Sequence, residues 1–97
     1  MQVSVRFFTV LREFTEKKEE TLHFEEGETV TINIVLEKLA ARYGKPFTDY
    51  VFDPQSGGVR RYLQFFINGQ SAATIKRLET ELNNGDVVAI VPPVGGG

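Results

Sequence analysis

The chain contains no cysteine. That excludes disulfides, thiolate metal sites and a cysteine nucleophile. It has a single histidine, His23, whose alternation with Leu22 and Phe24 points it to solvent. No aspartate or serine stands near it in a triad-like pattern. No stretch approaches the roughly 18 apolar residues of a membrane span. The start, Met1-Gln2-Val3-Ser4-Val5-Arg6, lacks the basic-then-apolar order of a signal peptide, so a cytoplasmic protein is expected. Charge of one sign is also missing. Eleven Lys and Arg stand against 13 Asp and Glu, a net charge of -2, which gives no electrostatic reason to expect nucleic acid or an anionic membrane. Lys17-Lys18 and Arg60-Arg61 are isolated basic pairs. Gly57-Gly58 and Gly85 lack the lysine and spacing of a phosphate loop. Asp49 and Asp53 read as capping or solvated carboxylates, and no metal-ligand cluster is visible.

What is present is one domain's worth of chain. Ninety-seven residues, 41% hydrophobic, can bury one modest core, with little room for an enclosed catalytic cavity as well. Val3, Val5 and Phe7 alternate with Ser4, Arg6 and Phe8, the period of a half-buried strand. Arg12 to Glu20 is polar and is expected to be a loop. Thr21 to Phe24 is a second strand closed by Glu26-Gly27, near enough to pair with the first as a wide-looped hairpin. Glu13, Glu16, Glu19, Glu20, Glu25, Glu26 and Glu28 crowd this third of the chain and are read as a solvated face. Ile32, Val35, Leu36, Leu39 and Tyr43 form one helical stripe, with Thr31 as N-cap and Gly44 followed by Lys45-Pro46 as the stop. Ile34 lies off that stripe. Phe47, Tyr50 and Val51 suggest a further helical turn or a packed loop, and residues 53–58 a turn cluster. Leu63, Phe65 and Ile67 share one face of a third strand. Asn68-Gly69 signals a type I′ hairpin into a short return strand. Leu78 and Leu82 pin a helical turn, and Asn84-Gly85-Asp86 marks another turn. Val87 to Val91 is almost wholly apolar, as a central strand should be, and Pro92-Pro93 ends it.

One amphipathic helix over one face of a mixed sheet, with the last strand beside the first, is an α+β, β-grasp (ubiquitin-like) arrangement of four to five strands. The expected organisation is a single domain over residues 1–91 and a tail over 92–97, with the prolines pushing the tail away from the sheet. Its end, Pro92-Pro93-Val94-Gly95-Gly96-Gly97, has an unusual economy of side chains. Glycines let a backbone enter a narrow channel that a branched residue would block. A carboxylate there suits an acyl-transfer substrate, activated with ATP as an acyl-adenylate by a partner enzyme. A lone triple-glycine end is ordinarily a frayed terminus. Here it follows a rigid Pro-Pro directly after a core strand. On the sheet face away from the helix, Phe8, Phe66, Ala89 and Val91 share one parity, with Arg12 at the edge. That cluster is expected to dock partner proteins.

Several segments resemble the MoaD/ThiS-type sulfur carriers, most of all the archaeal small subunit of molybdopterin synthase. They are Val5-Arg6-Phe7-Phe8, Leu11-Arg12-Glu13, residues 36–43, Ile67-Asn68-Gly69, residues 82–88, and Pro92-Pro93-Val94 with the terminal glycines. The resemblance implies the β-grasp fold and a reactive C-terminus at Gly97, with Gly96 as the second glycine of the motif. Gly95 departs from the family's usual alanine or serine, and the loop from Gly27 to Thr31 is longer than usual. It implies a carrier rather than an enzyme, with no bound cofactor. A ubiquitin-activating-like adenylyltransferase would use ATP and magnesium on Gly97, a sulfur donor would supply the thiocarboxylate, and the synthase large subunit would receive the tail. Carriers for thiamine and other thio-products look alike, and similar archaeal proteins are joined to lysines of target proteins as ubiquitin-like modifiers.

Overall fold

A computed structural model describes residues 1–72 and 76–93. Strand β1 (Gln2–Phe7) is followed by a short helix α1 (Val10–Thr15) and strand β2 (Glu19–His23). Helices α2 (Ile32–Tyr43) and α3 (Lys45–Val51) come next, then β3 (Gln64–Ile67), β4 (Gln70–Ser71), a 3₁₀ turn (Arg77–Glu79) and β5 (Val87–Val91). The sheet order is β2-β1-β5-β3-β4, so β2 and β4 are the edges and the last strand is central. β5 runs parallel to β1, with Val5 opposite Val88 and Phe7 opposite Ile90. It runs antiparallel to β3, with Phe65 opposite Ile90 and Gln64 opposite Val91. This is the mixed β-grasp sheet expected from the sequence.

The core follows from strand parity and the helical stripe. Val3, Val5, Phe7, Leu22, Phe65, Val88 and Ile90 from the sheet meet Ile32, Val35, Leu36 and Leu39 from α2, all buried. Ile34, off the stripe, is half-buried and packs against the rim of this core. Thr31 caps α2, its Oγ1 accepting from the Ile34 amide at 3.3 Å. At the other end Gly44 turns the chain with φ +78°, and α3 restarts at once with a proline in its first turn. Asn68 (φ +51°) and Gly69 (φ +86°) make the expected hairpin turn. Asn68 also ties that turn to β5. Its amide donates to Val87 O at 2.8 Å, and its Oδ1 accepts from the Val87 amide at 2.9 Å.

Two expectations fail between β1 and β2. Residues 12–20 are not a loop: α1 takes in Arg12 to Thr15, and β2 begins at Glu19. Leu11 and Thr15, four apart, are both buried, and Thr15 Oγ1 donates back to Leu11 O at 2.9 Å. So short a helix is not stable alone. Packing against the core makes it, and that packing leaves almost no sequence pattern.

Glu20 is not solvated. It sits on the core side of β2 with 6% exposure. Its carboxylate accepts from the Tyr43 hydroxyl and from Lys17 Nζ at 2.9 Å, and it pairs with the Arg42 guanidinium. Lys17 and Arg42 keep about half of their side chains in water, so only the carboxylate bears a large desolvation cost. Burial pushes the Glu20 carboxyl up, but the hydrogen bonds from Tyr43 and Lys17 and the two positive charges outweigh it and hold it below its ordinary value. Burial and the bond to Glu20 push the Tyr43 phenol up to about 12. The cluster fastens edge strand β2 to the end of α2. Because the folded carboxyl titrates lower than the unfolded one, its contribution is present above the unfolded value of about 4.3 and is lost as pH falls through the lowered folded value. Glu20→Gln is expected to cost roughly 1–3 kcal/mol at pH 7, where a charged acceptor is replaced by a neutral amide. In urea denaturation the gap from the unmodified protein should narrow at pH 3. An equal gap at both pH values would assign the loss to packing instead.

Candidate functional site

The site is the end of the sheet from which β5 leaves. Parallel pairing puts the C-terminal end of β5 beside the C-terminal end of β1, and antiparallel pairing puts it beside the start of β3. The chain therefore emerges between Phe8 on one side and the segment before Gln64 on the other. Pro92 is buried and Pro93 half-buried. Pro92, expected as the first residue of a tail pushed off the sheet, instead packs with the domain. Val94, Gly95, Gly96 and Gly97 lie outside the described residues.

The face of β5 away from the helices carries Val87, Ala89 and Val91, each half-buried. Ala89 lies opposite Phe66 on β3 and opposite Arg6 on β1, and Val91 lies opposite Gln64. Phe8, just past the end of β1, is half-buried between two guanidinium groups. Arg6 stands 5.9 Å from its ring centre and Arg12 stands 5.5 Å away. Arg12 Nε donates to Phe7 O at 2.9 Å, which fixes that guanidinium beside the ring. Arg6 also makes a loose 3.8 Å pair with Glu19. The structure thus places Phe66 with Ala89 in the middle of the open face, and Phe8 with Arg12 just past the end of β1, beside the exit of β5. Sequence reading missed Arg6 and Val87. Both share the parity of Ala89, so the alternation that found Ala89 and Val91 could have found them.

Thr9 joins Phe8 to α1. It holds φ +50° and ψ -125° immediately before α1, a region that a β-branched residue rarely occupies, and its side chain forms no cap bond. Such strain costs about 1–3 kcal/mol. His23, Asp49 and Asp53 form no constellation. His23 and Asp49 are exposed, and Asp53 Oδ1 accepts from the Gln55 amide at 2.8 Å as a turn cap. Among the described residues no group of acidic, histidine or cysteine side chains could hold a metal ion, and no helix is long and apolar enough to cross a membrane.

The five-stranded mixed sheet with α2 across one face is a β-grasp, ubiquitin-like fold. The ThiS family model matches residues 5–97, and the chain belongs to that family. It is 29% identical, over the full length of both chains, to small archaeal modifier protein 3 of Haloferax volcanii. Among solved structures it is similar to small archaeal modifier protein 1 of Methanosarcina acetivorans, with TM-score 0.81 and 29% identity over 99% of this chain and 96% of that one. It shares its fold with a chain of the Amycolatopsis orientalis BexX/CysO complex, with TM-score 0.72 and 23% identity over 98% and 99% of the two chains.

Thr9→Gly is expected to raise stability by about 1 kcal/mol, since relief of strain exceeds the entropic cost of glycine of roughly 0.5–1 kcal/mol. A higher urea midpoint with unchanged slope would bear this out. A lower midpoint would mean that the Thr9 side chain itself holds the turn.

Proposed function

We propose that this protein is a sulfur carrier, a consumable acyl substrate whose working group is the carboxylate of Gly97. The observation that carries the reading is the placement of β5. A central core strand leads into a buried proline, Pro92, beside the open face that carries Phe66, Ala89 and Val91, and in sequence Pro93-Val94-Gly95-Gly96-Gly97 comes next. Membership of the ThiS family supports it.

The chemistry needs no catalytic group from this chain. The Gly97 carboxylate oxygen attacks the α-phosphorus of ATP, held with magnesium by an adenylyltransferase of the ubiquitin-activating type, and pyrophosphate leaves. Hydrosulfide from the sulfur donor then attacks the acyl carbon and AMP leaves, giving a thiocarboxylate and a proton. An acceptor takes the sulfur, and water restores the carboxylate. The acceptor that best suits the motif resemblance is the pterin dithiolene precursor in the large subunit of molybdopterin synthase. The face around Phe8 and Arg12 would seat both partners in turn. The similarity to archaeal modifier proteins over the whole chain favours a second use of the same activated tail, in which a lysine amine of a target protein displaces AMP and forms an isopeptide bond.

Intact mass after incubation with ATP, magnesium, sulfide and the activating enzyme is expected to show sulfur replacing oxygen at Gly97, and no change when Gly97 is deleted. No adduct from an enzyme that activates its own carrier would rule out the carrier reading. Isopeptide conjugates on lysines in cells would move the assignment to the modifier.

Phe8→Ser is expected to weaken binding to the activating enzyme and to the synthase large subunit at least tenfold, with the denaturation midpoint little changed. Unchanged affinity for both would remove this face from the docking surface.

A further inference from the structure

The chain has six arginines, all among the described residues. Five are committed. Arg6 pairs with Glu19, Arg12 is held by Phe7 O, and Arg42 pairs with Glu20. Arg77 donates to Leu63 O at 3.2 Å and lies over the Phe65 ring. Arg60 donates through Nε and Nη2 to Asp49 O at 3.3 and 3.0 Å. Arg61 alone is exposed with no hydrogen bond, ion pair or ring contact among the described residues.

Its neighbours show why it stands free. The segment Val59 to Tyr62 is strapped over the C-terminal end of α3, where the last carbonyls of a helix lack partners. The Arg60 amide donates to Val51 O at 2.9 Å, the Arg60 side chain takes Asp49 O, and the Tyr62 hydroxyl takes Tyr50 O at 3.2 Å. Arg60 and Tyr62 are spent on the helix end, and Arg61, between them, is left outward. Tyr62 meets Tyr50 at a tilt with ring centres 5.9 Å apart, and Tyr50 meets Phe14 at 5.6 Å, so an aromatic row backs the strap. Tyr62 is nevertheless 38% exposed. Arg61 lines two clefts. One of about 440 Å³ is formed with Asp53, Ser56, Val59, Arg60 and Tyr62. The other, of about 280 Å³, is shared with Gln64 and Arg77. The one carboxylate at either lining, Asp53, is turned to its own loop.

We infer that Arg61 and Tyr62 form a second docking point for the protein that takes the tail, and that its occupant is an acidic loop of that protein, a Glu or Asp side chain on Arg61 with apolar contact to Tyr62. Charge carries the choice of occupant. The linings hold Arg60, Arg61 and Arg77 against a single engaged carboxylate, and a guanidinium free on both clefts matches a carboxylate in bidentate geometry. Position carries the choice of partner. Arg61 lies three residues before Gln64, which faces Val91 across the ladder, so the point flanks the exit of β5 on the side away from Phe8. Two points on opposite flanks would fix the direction in which the tail enters a partner's channel. The inference rests on the carrier reading for the identity of the partner, but not for the chemistry of the site.

Two measurements separate these. In the first, affinity for the activating enzyme is measured across a salt series for the unmodified chain, Arg61→Gln, Arg61→Glu and Arg61→Lys, with full-length folded protein throughout. Arg61→Gln is expected to weaken binding about tenfold and to flatten the salt dependence. Arg61→Glu should weaken it further, and Arg61→Lys should restore part. Equal affinity for all four would overturn the inference while a sulfur adduct at Gly97 still formed. In the second, which needs no activation chemistry, ¹⁵N-labelled protein is titrated with a short peptide carrying Glu-Leu-Glu, with its Gln-Leu-Gln counterpart, and with inorganic phosphate. Shifts of Arg61 Nε and of the Tyr62 amide with the Glu peptide alone are expected, with the Tyr62 shift lost in Arg61→Gln. Equal shifts with the Gln peptide, or shifts with phosphate only, would overturn an acidic protein loop as the occupant.

Discussion

The rest of the structure depends on the central position of β5 in the sheet. Placing β5 between β1 and β3 means that the last five core residues cannot pair until the strands on both sides exist. It also fixes where everything else must go. The parallel pairing with β1 forces the connection to cross the sheet through α2. It aligns the end of β5 with the end of β1, and the antiparallel pairing with β3 aligns it with the strap before Gln64. Phe8, Arg12, Arg61 and Tyr62, far apart in sequence, are neighbours of the exit because of that one strand order. A carrier with its last strand at an edge would offer its terminus from a margin, flanked on one side only.

The second fixture is electrostatic. Glu20 is a carboxylate on an edge strand, turned inward where an apolar residue would be expected, and it is kept ionised by a phenol and two cations whose own heads remain wet. This arrangement costs less than burying a complete ion pair, because only one of the charges leaves water. It joins β2, the loop after α1 and the last turn of α2 at one point. Tyr43 meets Phe7 edge-on at 6.1 Å and Phe47 at 5.9 Å. The same phenol that serves Glu20 thus packs against the last residue of β1 and the first turn of α3.

Much of this was legible in the sequence. The alternation of Val3, Val5 and Phe7, the stripe from Ile32 to Tyr43, the Asn68-Gly69 turn and the apolar run of β5 each gave the right element, because each is a repeating pattern imposed by burial. The failures share a different cause. Helix α1 has too few residues for a period to show, and tertiary packing alone makes it helical. Glu20 has the parity of an inward residue, but its charge and its acidic neighbours argued for water. The three groups that satisfy it come from positions 17, 42 and 43, which no local reading connects. Pro92 was read as the start of a departing tail because proline ends ladders, yet ending a ladder does not prevent packing. On the open face, parity grouped Phe66, Ala89 and Val91. Arg61 reads only as half of an isolated basic pair, because a paired and an unpaired arginine look the same in a sequence.

The two edges of the sheet have a bearing on how this molecule behaves in a crowd. β4 is two residues long, too short to template another strand, and β2 presents exposed Glu19, Thr21 and His23 along its outer side. Short edges and charged edges are what keep sheets from adding to one another. A sheet that stacked edge to edge would join copies of this domain into one longer sheet through β2 and β4. Margins this short and polar oppose such addition, so the domain is built to stay apart from its own copies even at high concentration.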